Sequence, residues 1–540
     1  MEDFIKDHVR RLEPLLKQAK LAYWEAATSG RTEAYDEYAR LELEIRRLYS
    51  DRAAFDCLET ALAAYEKTPA VTPAAQQTAR QVRLLYNAHL ENQIEPDLLE
   101  EMVRLSARVD QRFATFLPTL NGKSVTDNHI KQILKTETDS GLRKEAWQAG
   151  KQVGEAVAED VVNLVRLRNR AARALGFSDW HELALTSAEQ DRGELDRIFA
   201  DLRRLTDAPF KAAKAELDLQ LAGSYGLTEQ ELYPWHYHDL FFQEAPAVEG
   251  TDFNLFYADR DLEKLATAFY DGIGLPVEEI LDRSDLYERE GKNPHAFCDD
   301  IDRQGDVRIL CNLRNTERWM GTLLHELGHA VYDTYHDAAL PFLLREPAHI
   351  FTTEAVAMFF GRLSSNAAWM QKLLGLTDAR RREIEQKVSR YTRLKQLVFA
   401  RWAMVMYEFE KELYRDPDRD ITDLWWQTVG AYQHLRRPPG RKNPDWAAKI
   451  HLASAPCYYH NYMLGELLAS QLRGFLYREV LSGSGLAGNR KVGDWFRERV
   501  FAPGKLYAWN EMILKSTGEE LSARHYAAEF VQPGCSQAGG

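Results

Sequence analysis

Hydrophobic residues recur at helical spacing along most of this chain. Two amphipathic stretches, residues 3–28 and 31–50, are separated by Thr28-Ser29-Gly30, which favours a helix end. Longer periodic stretches follow at about 76–116, 126–172 and 190–222. Short segments rich in Pro, Gly or charged residues at 243–251, 434–445 and 481–489 indicate loops between elements. The pattern therefore predicts an all-α protein.

One segment departs from the helical pattern. Residues 296–302 and 307–313 alternate in the manner of two strands, and 303–306 between them has turn composition, which predicts a β-hairpin. An exposed strand edge can pair with an extended peptide. A hairpin that only packs against its neighbours is equally consistent with this pattern.

The residues after the hairpin carry a possible metal site. His325-Glu326-Leu327-Gly328-His329 lies in a helical pattern that Thr316 would cap. Two histidines four residues apart share one face of a helix and can bind one metal ion. The glutamate between them can reach a water on that ion and act as a base. This arrangement is typical of a zinc peptidase, although two hydrogen-bonded core histidines would fit the same spacing.

A catalytic zinc site needs a third protein ligand. Residues 352–360 begin a second apolar helix, with Thr352 as the expected cap and Glu354 in the first turn. Glu354 is therefore a candidate ligand. The alternative is that its carboxylate only caps the helix.

Composition excludes some functions and leaves others open. The 540 residues allow three or four domains, and the net charge of −13 argues against nucleic-acid binding. The charged N-terminal residues lack the apolar core of a signal peptide, and no uninterrupted apolar stretch of membrane-spanning length occurs. The five cysteines are few for 540 residues and odd in number, which argues against a disulfide framework. A cytoplasmic protein is the expectation.

The spacing from His329 to Glu354 and the segment Leu344-Arg345-Glu346 resemble those of known enzymes. They are similar to thimet oligopeptidase, oligopeptidase F and angiotensin-converting enzyme, which are related helical zinc peptidases of the gluzincin group. This resemblance implies that His325, His329 and Glu354 bind one zinc ion per chain, with Glu326 as the catalytic base.

A second constellation carries the same resemblance. Lys449-Ile450-His451 is followed by Tyr459 and Tyr462, and in these families the histidine and second tyrosine stabilise the oxyanion. That implies catalytic roles for His451 and Tyr462, although the tyrosines could be ordinary core residues. Lys449 and Tyr459 would grip the C-terminal carboxylate of a substrate, unless Lys449 is a solvated surface charge. His295 and Ala296 would line the cleft.

The resemblance implies an all-α, two-lobed ellipsoid with a deep central channel and a short hairpin beside the site. Residues 1–540 would form a single catalytic unit, with a helical lid and first lobe over about 1–115 and a catalytic core over about 230–470. Two departures stand out. Asn461 occupies the position of a chloride-binding arginine, and the glutamine that binds the substrate C-terminus has no clear counterpart near residues 235–237.

The expected function is zinc-dependent hydrolysis of peptide bonds in short peptides. Two cleavage modes stay open: release of C-terminal dipeptides and internal cleavage of oligopeptides. The alternative is a catalytically inactive, zinc-containing peptide-binding protein. Short peptides are the expected partners, nucleic acids and membranes are not, and the sequence leaves the oligomeric state open.

Overall fold

A computed structural model describes residues 1–68, 70–246 and 253–531 of the chain. Within these ranges the protein is predominantly α-helical with two short hairpins, which confirms the predicted fold class. The helices are α1 Glu2–Ser29, α2 Thr32–Tyr49, α3 Arg52–Lys67, α4 Pro73–Leu90, α5 Pro96–Thr115, α6 Asp127–Thr136, α7 Ser140–Ala174, α8 Trp180–Ser187, α9 Arg192–Tyr225, α10 Leu262–Ile273, α11 Glu278–Arg283, α12 Glu317–Thr334, α13 Ile350–Gly361, α14 Ala367–Leu374, α15 Asp378–Arg415, α16 Ile421–Gln433, α17 His451–Ser454, α18 His460–Phe475, α19 Arg490–Phe496, α20 Trp509–Thr517 and α21 Ala523–Phe530. The strands are β1 Thr119–Leu120, β2 Lys123–Ser124, β3 Phe297–Asp300 and β4 Val307–Leu310.

Helix ends follow local capping chemistry more closely than hydrophobic periodicity. The predicted break after α1 is confirmed, since Gly30 adopts φ 71° and closes the helix. The stretch 76–116 is two helices, because Pro96 begins α5 and the Glu95 carboxylate accepts its first free N–H groups. The stretch 126–172 is also two helices, since the Asp139 side chain caps α7. Of the loop predicted at 243–251, residues 247–251 lie outside the described ranges.

Two large apolar cores share one long helix. One core contains α10, α12, α13 and most of α18, and the other contains parts of α7, α9 and α16. Helix α15 contributes Ala403 and Tyr407 to the first core and Trp402 and Phe409 to the second. Helix α15 therefore lies between two lobes, each with its own core, in agreement with the expected two-lobed architecture.

The first four helices have a small apolar core of their own, which meets the rest of the protein at Phe342 and Leu343. Helix α5 packs instead against α7. A lid over residues 1–115 and a central channel both stay predictions. The packing partners change between α4 and α5, since α1 to α4 share their own core and α5 packs on α7.

The predicted hairpin is confirmed, with β3 and β4 antiparallel and Phe297 opposite Leu310. It lies between α1 and the metal helix α12. The Lys20 ammonium of α1 donates to the Asp299 carboxylate of β3 at 2.6 Å, and the Phe297 ring lies 5.3 Å from that of Tyr23. The first helix is thus bound directly to the strand beside the candidate site.

Two findings bear on composition. No helix in the described ranges is long and apolar enough to cross a membrane. The four described cysteines, Cys57, Cys298, Cys311 and Cys457, are free thiols, while Cys535 lies outside the described ranges.

The loop leading into β3 depends on a buried ammonium. The Lys292 side chain is fully buried and donates to the Asp285 carboxylate at 2.7 Å and to the carbonyls of Asp285, Tyr287 and Cys311. We expect Lys292→Met to destabilise the protein by about 2–4 kcal/mol, because it leaves the carbonyls of Tyr287 and Cys311 without this buried donor, although Arg289 still pairs with the Asp285 carboxylate. Urea unfolding measures this loss.

Lys17→Met is the matched control, because the Lys17 ammonium, 48 % exposed, forms a surface pair with Asp302 at 3.0 Å. It should cost less than about 1 kcal/mol. Equal losses in the two variants would contradict the structural role of Lys292.

Candidate metal centre and active site

Helix α12 begins where the sequence predicts, with the Thr316 hydroxyl accepting the Trp319 N–H at 3.3 Å. Its leucines are fully buried in the first core, which fixes the rotation of the helix. His325 and His329 then share one face, and their ring centroids are 4.9 Å apart. Glu326 is also buried, at 6 % exposure.

The start of α13 differs from the prediction. The cap is His349, not Thr352: the His349 ring accepts the Phe351 N–H at 3.2 Å, and the Thr352 hydroxyl donates to the His349 carbonyl at 2.7 Å. Glu354 therefore lies in the second turn, where no free N–H group remains to be capped. The expected first-turn position, and with it the capping alternative for Glu354, is wrong.

Helices α12 and α13 pack almost backbone to backbone. A Cβ atom on Gly328 would lie 2.8 Å from the Ala357 Cα atom, closer than real Cβ atoms approach. Helix α18 comes similarly close to α13 at Gly465, where a Cβ atom would meet the Glu354 Cβ atom at 3.3 Å. These glycines bring the Glu354 carboxylate to the two histidines.

The three groups fit a metal ion. One candidate ligand atom each from His325, His329 and Glu354 lies within 4.8 Å of the others, and His325 Nε2 is 3.7 Å from Glu354 Oε2. The Thr353 hydroxyl bonds His329 Nδ1 at 2.7 Å, which leaves Nε2 free for a metal. Two imidazoles and one carboxylate are the donor set of catalytic zinc sites. Among the described residues, this is the one group of histidines, cysteines and carboxylates with such spacing.

Burial sets the electrostatics of the centre. It lowers the pKa of His325 to about 4, so the imidazole is neutral and able to bind a metal. Burial raises the pKa of Glu354 to about 7, and burial followed by the Glu354 charge raises that of Glu326 to about 8. No lysine or arginine of the described part pairs with either carboxyl group. The cluster thus lacks the positive charge that a metal ion would supply.

The predicted tyrosine lies beside this cluster. Burial and then the Glu354 charge raise the pKa of Tyr462, so its hydroxyl stays protonated and can donate. The same two causes raise the pKa of Tyr458, whose ring centroid is 5.4 Å from that of Tyr462. The sequence motif gave no role to Tyr458. The structure adds it as a second phenol near the Glu354 carboxylate.

The rings of His451, Tyr459 and Tyr462 pack one against the next. The His451 ring packs on Tyr459 at 5.2 Å, and the Tyr459 ring packs on Tyr462 at 5.3 Å. Burial, followed by the Lys449 charge, lowers the pKa of His451 to about 4. Trp402 Nε1 donates to the Tyr459 hydroxyl at 2.7 Å, which fixes that phenol.

Lys449 is buried at 9 % exposure, so it is not a solvated surface charge. Its ammonium donates to Gln243 Oε1 at 2.7 Å and lies 5.1 Å from the Tyr459 ring centroid. The sequence pattern offered no glutamine near residues 235–237, and the structure places Gln243 beside Lys449. It was missed because a loop positions it: the Asp239 carboxylate accepts the N–H groups of Phe241, Gln243 and Glu244.

His295 and Ala296, which were expected to line the cleft, lie directly before the start of β3. Ala296 is half-buried and directly precedes β3, as expected for a strand bordering a site. The His295 side chain is exposed, and only its backbone N–H is bonded, to Asn293 at 2.9 Å. The structure therefore does not bring the His295 ring into the metal cluster.

Two family models match separate parts of the chain. The model described as peptidase family M3 matches residues 281–532, which hold the metal centre, and the model described as angiotensin-converting enzyme matches residues 1–226. The chain is 23 % identical over 452 residues to an angiotensin-converting enzyme of Haematobia irritans exigua, covering 75 % of this chain and 72 % of that protein. It is 26 % identical over 258 residues to carboxypeptidase 1 of Bacillus subtilis, covering 43 % and 50 %. An angiotensin-converting enzyme of Mesocricetus auratus is 25 % identical over 252 residues, covering 44 % and 19 %.

The close packing of α12 on α13 can be tested at Gly328. We expect Gly328→Ala to force the two backbones apart, lowering stability by about 1–3 kcal/mol and weakening zinc binding. Urea unfolding and competition with a zinc chelator measure the two effects.

Gly223→Ala is the control, because Gly223 lies within a helix and nothing is within 4 Å of its would-be Cβ atom. It should leave zinc binding unchanged and stability equal or slightly higher. Zinc affinity unaltered in Gly328→Ala would show that the helix contact does not hold the ligands in place.

Proposed function

We propose that this chain, whose matches are to peptidase family M3 and to angiotensin-converting enzymes, hydrolyses peptide bonds in short peptides with one bound zinc ion. The observation that carries the proposal is the arrangement of His325, His329 and Glu354 around one point, with the Glu326 carboxyl buried beside them. A histidine pair that only filled the core would not need two carboxyl groups without cationic partners. Localisation in the cytoplasm is part of this proposal.

The chain's own residues divide the chemistry. Bound zinc supplies Lewis acidity, which activates a water nucleophile and polarises the scissile carbonyl. The Glu326 carboxylate accepts the proton of the attacking water and returns it to the nitrogen of the departing amine. The Tyr462 hydroxyl, with the His451 imidazole beside it, donates to the oxygen on which negative charge develops. Strand β3, led by Ala296, offers backbone groups to an extended substrate.

The geometry favours release of C-terminal dipeptides over internal cleavage. Lys449, Gln243 and Tyr459 form a buried cationic site with an amide and a phenol beside it, and such a site suits a free carboxylate. Tyr459 of this site packs directly on the His451 ring, at 5.2 Å between centroids. The names of the relatives, angiotensin-converting enzyme and carboxypeptidase 1, agree with action at a C-terminus. Internal cleavage remains the second mode under test.

A peptide-binding protein without activity is the alternative function. The buried Glu326 and the tyrosine donors argue against it, because binding alone requires neither a base nor an oxyanion donor. Peptide hydrolysis measured with and without a chelator separates the two.

Glu326 and Glu354 should respond differently to substitution. Glu326→Gln should lower kcat by about 10²–10⁴-fold while zinc stays bound, because glutamine keeps the shape but cannot accept the proton. Glu354→Ala should instead lose zinc, because it leaves an incomplete coordination shell. Metal analysis of the purified variants, together with peptide assays, measures both. Near-normal turnover in Glu326→Gln, or tight stoichiometric zinc in Glu354→Ala, would contradict these roles.

The cleavage mode can be tested on the Lys449 ammonium. Amidation of the substrate C-terminus should lower kcat/KM about tenfold to a hundredfold, since a charge-assisted contact contributes roughly 1.5–3 kcal/mol. Lys449→Ala should cause a similar loss on the free acid and almost none on the amide, and such non-additivity indicates direct contact. The measurement is a four-way cycle of two proteins and two peptides, with products identified by mass spectrometry.

Lys442→Ala is the control for that cycle, because Lys442 is an exposed lysine of the same connecting segment. Lys442→Ala should leave kcat/KM unchanged for both the free-acid and the amidated peptide. If the parent protein cleaves acid and amide equally well and at internal bonds, the carboxypeptidase mode is wrong and internal cleavage stands.

A further inference from the structure

The helix that carries Tyr462 begins without a conventional cap. The residue before α18 is Tyr459, which has helical backbone angles and no side-chain hydrogen bond to the first turn. Tyr462 is the third residue of this helix. The first turn of α18 is closed by backbone bonds, from the Asn461 N–H to the Tyr458 carbonyl at 3.0 Å and from the Tyr462 N–H to the Tyr459 carbonyl at 3.3 Å. The side chains of His460 and Asn461 are therefore left to bond with other elements.

One buried glutamine bonds both of these side chains. Gln190 Nε2 donates to Asn461 Oδ1 at 2.8 Å, and Gln190 Oε1 accepts from His460 Nε2 at 2.7 Å. Gln190, His460 and Asn461 are buried, at 4 %, 2 % and 4 % exposure. One amide therefore binds the two residues that directly precede Tyr462.

The turn that presents this glutamine, residues 188–190, is itself held by contacts to three elements, α4, α20 and α13. The Glu189 carboxylate pairs with Arg80 of α4, and its carbonyl accepts the Trp509 indole N–H at 2.8 Å. The Ala188 backbone hydrogen-bonds His349, the cap of the helix that carries Glu354. The same turn therefore contacts the starts of both α13 and α18.

We propose that Gln190 is a positioning residue that sets the Tyr462 hydroxyl relative to the metal centre, through its bonds to His460 and Asn461. This inference rests on the proposed function, in which Tyr462 donates to the oxyanion. Gln190 itself touches no reacting atom. A glutamine that only satisfied buried polar groups would stabilise the fold without affecting turnover.

The test combines Gln190→Ala with Tyr462→Phe. In the parent background Gln190→Ala should lower kcat about tenfold, with KM and zinc content within twofold, because a misplaced donor matters mainly in the transition state. In the Tyr462→Phe background the same change should lower kcat less than twofold. Equal factors in both backgrounds would overturn the proposal, and so would an unchanged kcat with only a lower Tm.

Two further variants separate position from stability. Gln471→Ala is the control: Gln471 lies on the same helix α18, is fully buried and donates to Thr517 and to the carbonyls of Glu519 and Glu520. It should lower Tm but leave kcat unchanged. Gln190→Glu keeps an oxygen that accepts from His460 Nε2. It has no N–H to donate to Asn461 Oδ1, but it can accept from Asn461 Nδ2 if the Asn461 amide turns over. It should restore kcat to within threefold of the parent, even though burying a carboxyl group lowers Tm. A kcat that followed Tm across these variants would contradict the positioning role.

Hydrogen exchange gives a readout that does not depend on turnover. Gln190→Ala should speed amide exchange over residues 460–463, and Gln471→Ala should not. If that difference appears but the parent shows no zinc-dependent hydrolysis, the proposed function fails while the positioning contact stands. If hydrolysis is present and exchange over 460–463 is unchanged, the positioning role fails alone.

Discussion

The close approach of α12, α13 and α18 is the constraint on which the candidate site depends. Gly328 lets the backbone of α12 rest on Ala357 of α13, and Gly465 lets α18 reach the same helix at Glu354. Side chains at either glycine would separate helices that carry different functional groups. A metal centre with two ligands on one helix and one on another tolerates little such separation, since coordination distances are short and fixed. The glycine within the metal motif is therefore a packing requirement of the site.

This packing also determines the charge balance. Helices that meet so closely exclude water, and exclusion of water disfavours every charged form: the pKa of the imidazoles falls and that of the carboxyl groups rises. A neutral histidine is the form that binds a metal. A nearby cation favours the carboxylate over the neutral carboxyl group and so opposes the effect of burial. The burial that makes these residues costly for the fold thus gives the cluster a reason to bind a metal ion.

Local chemistry was predictable from the sequence, and contacts between distant segments were not. The metal motif, the Thr316 cap and the hairpin each depend on residues within one short segment, and periodicity found all three. The start of α13 was misplaced, because the capping atom is an imidazole, which is an unusual cap. Gln243 and Gln190 were missed because each lies in a loop and meets its partner more than 200 residues away in sequence. Hydrophobic periodicity is detected over the length of one helix, so it cannot reveal pairs that are so far apart in sequence.

The two lobes explain why the site needs these long-range contacts. The candidate metal ligands lie on α12 and α13, whose apolar residues are in the first core. Tyr459 belongs to the second core, and the Lys449 ammonium packs over the Phe241 and Trp402 rings of that core. Tyr462 packs on the second core, and its neighbour Met463 lies in the first. The candidate metal ligands therefore belong to one lobe and the proposed substrate contacts to the other, and the proposed donor Tyr462 lies at the boundary, in the first turn of α18. Gln190 bonds the two residues before Tyr462 in that turn. That is why we assign weight to Gln190 although it belongs to neither set of residues.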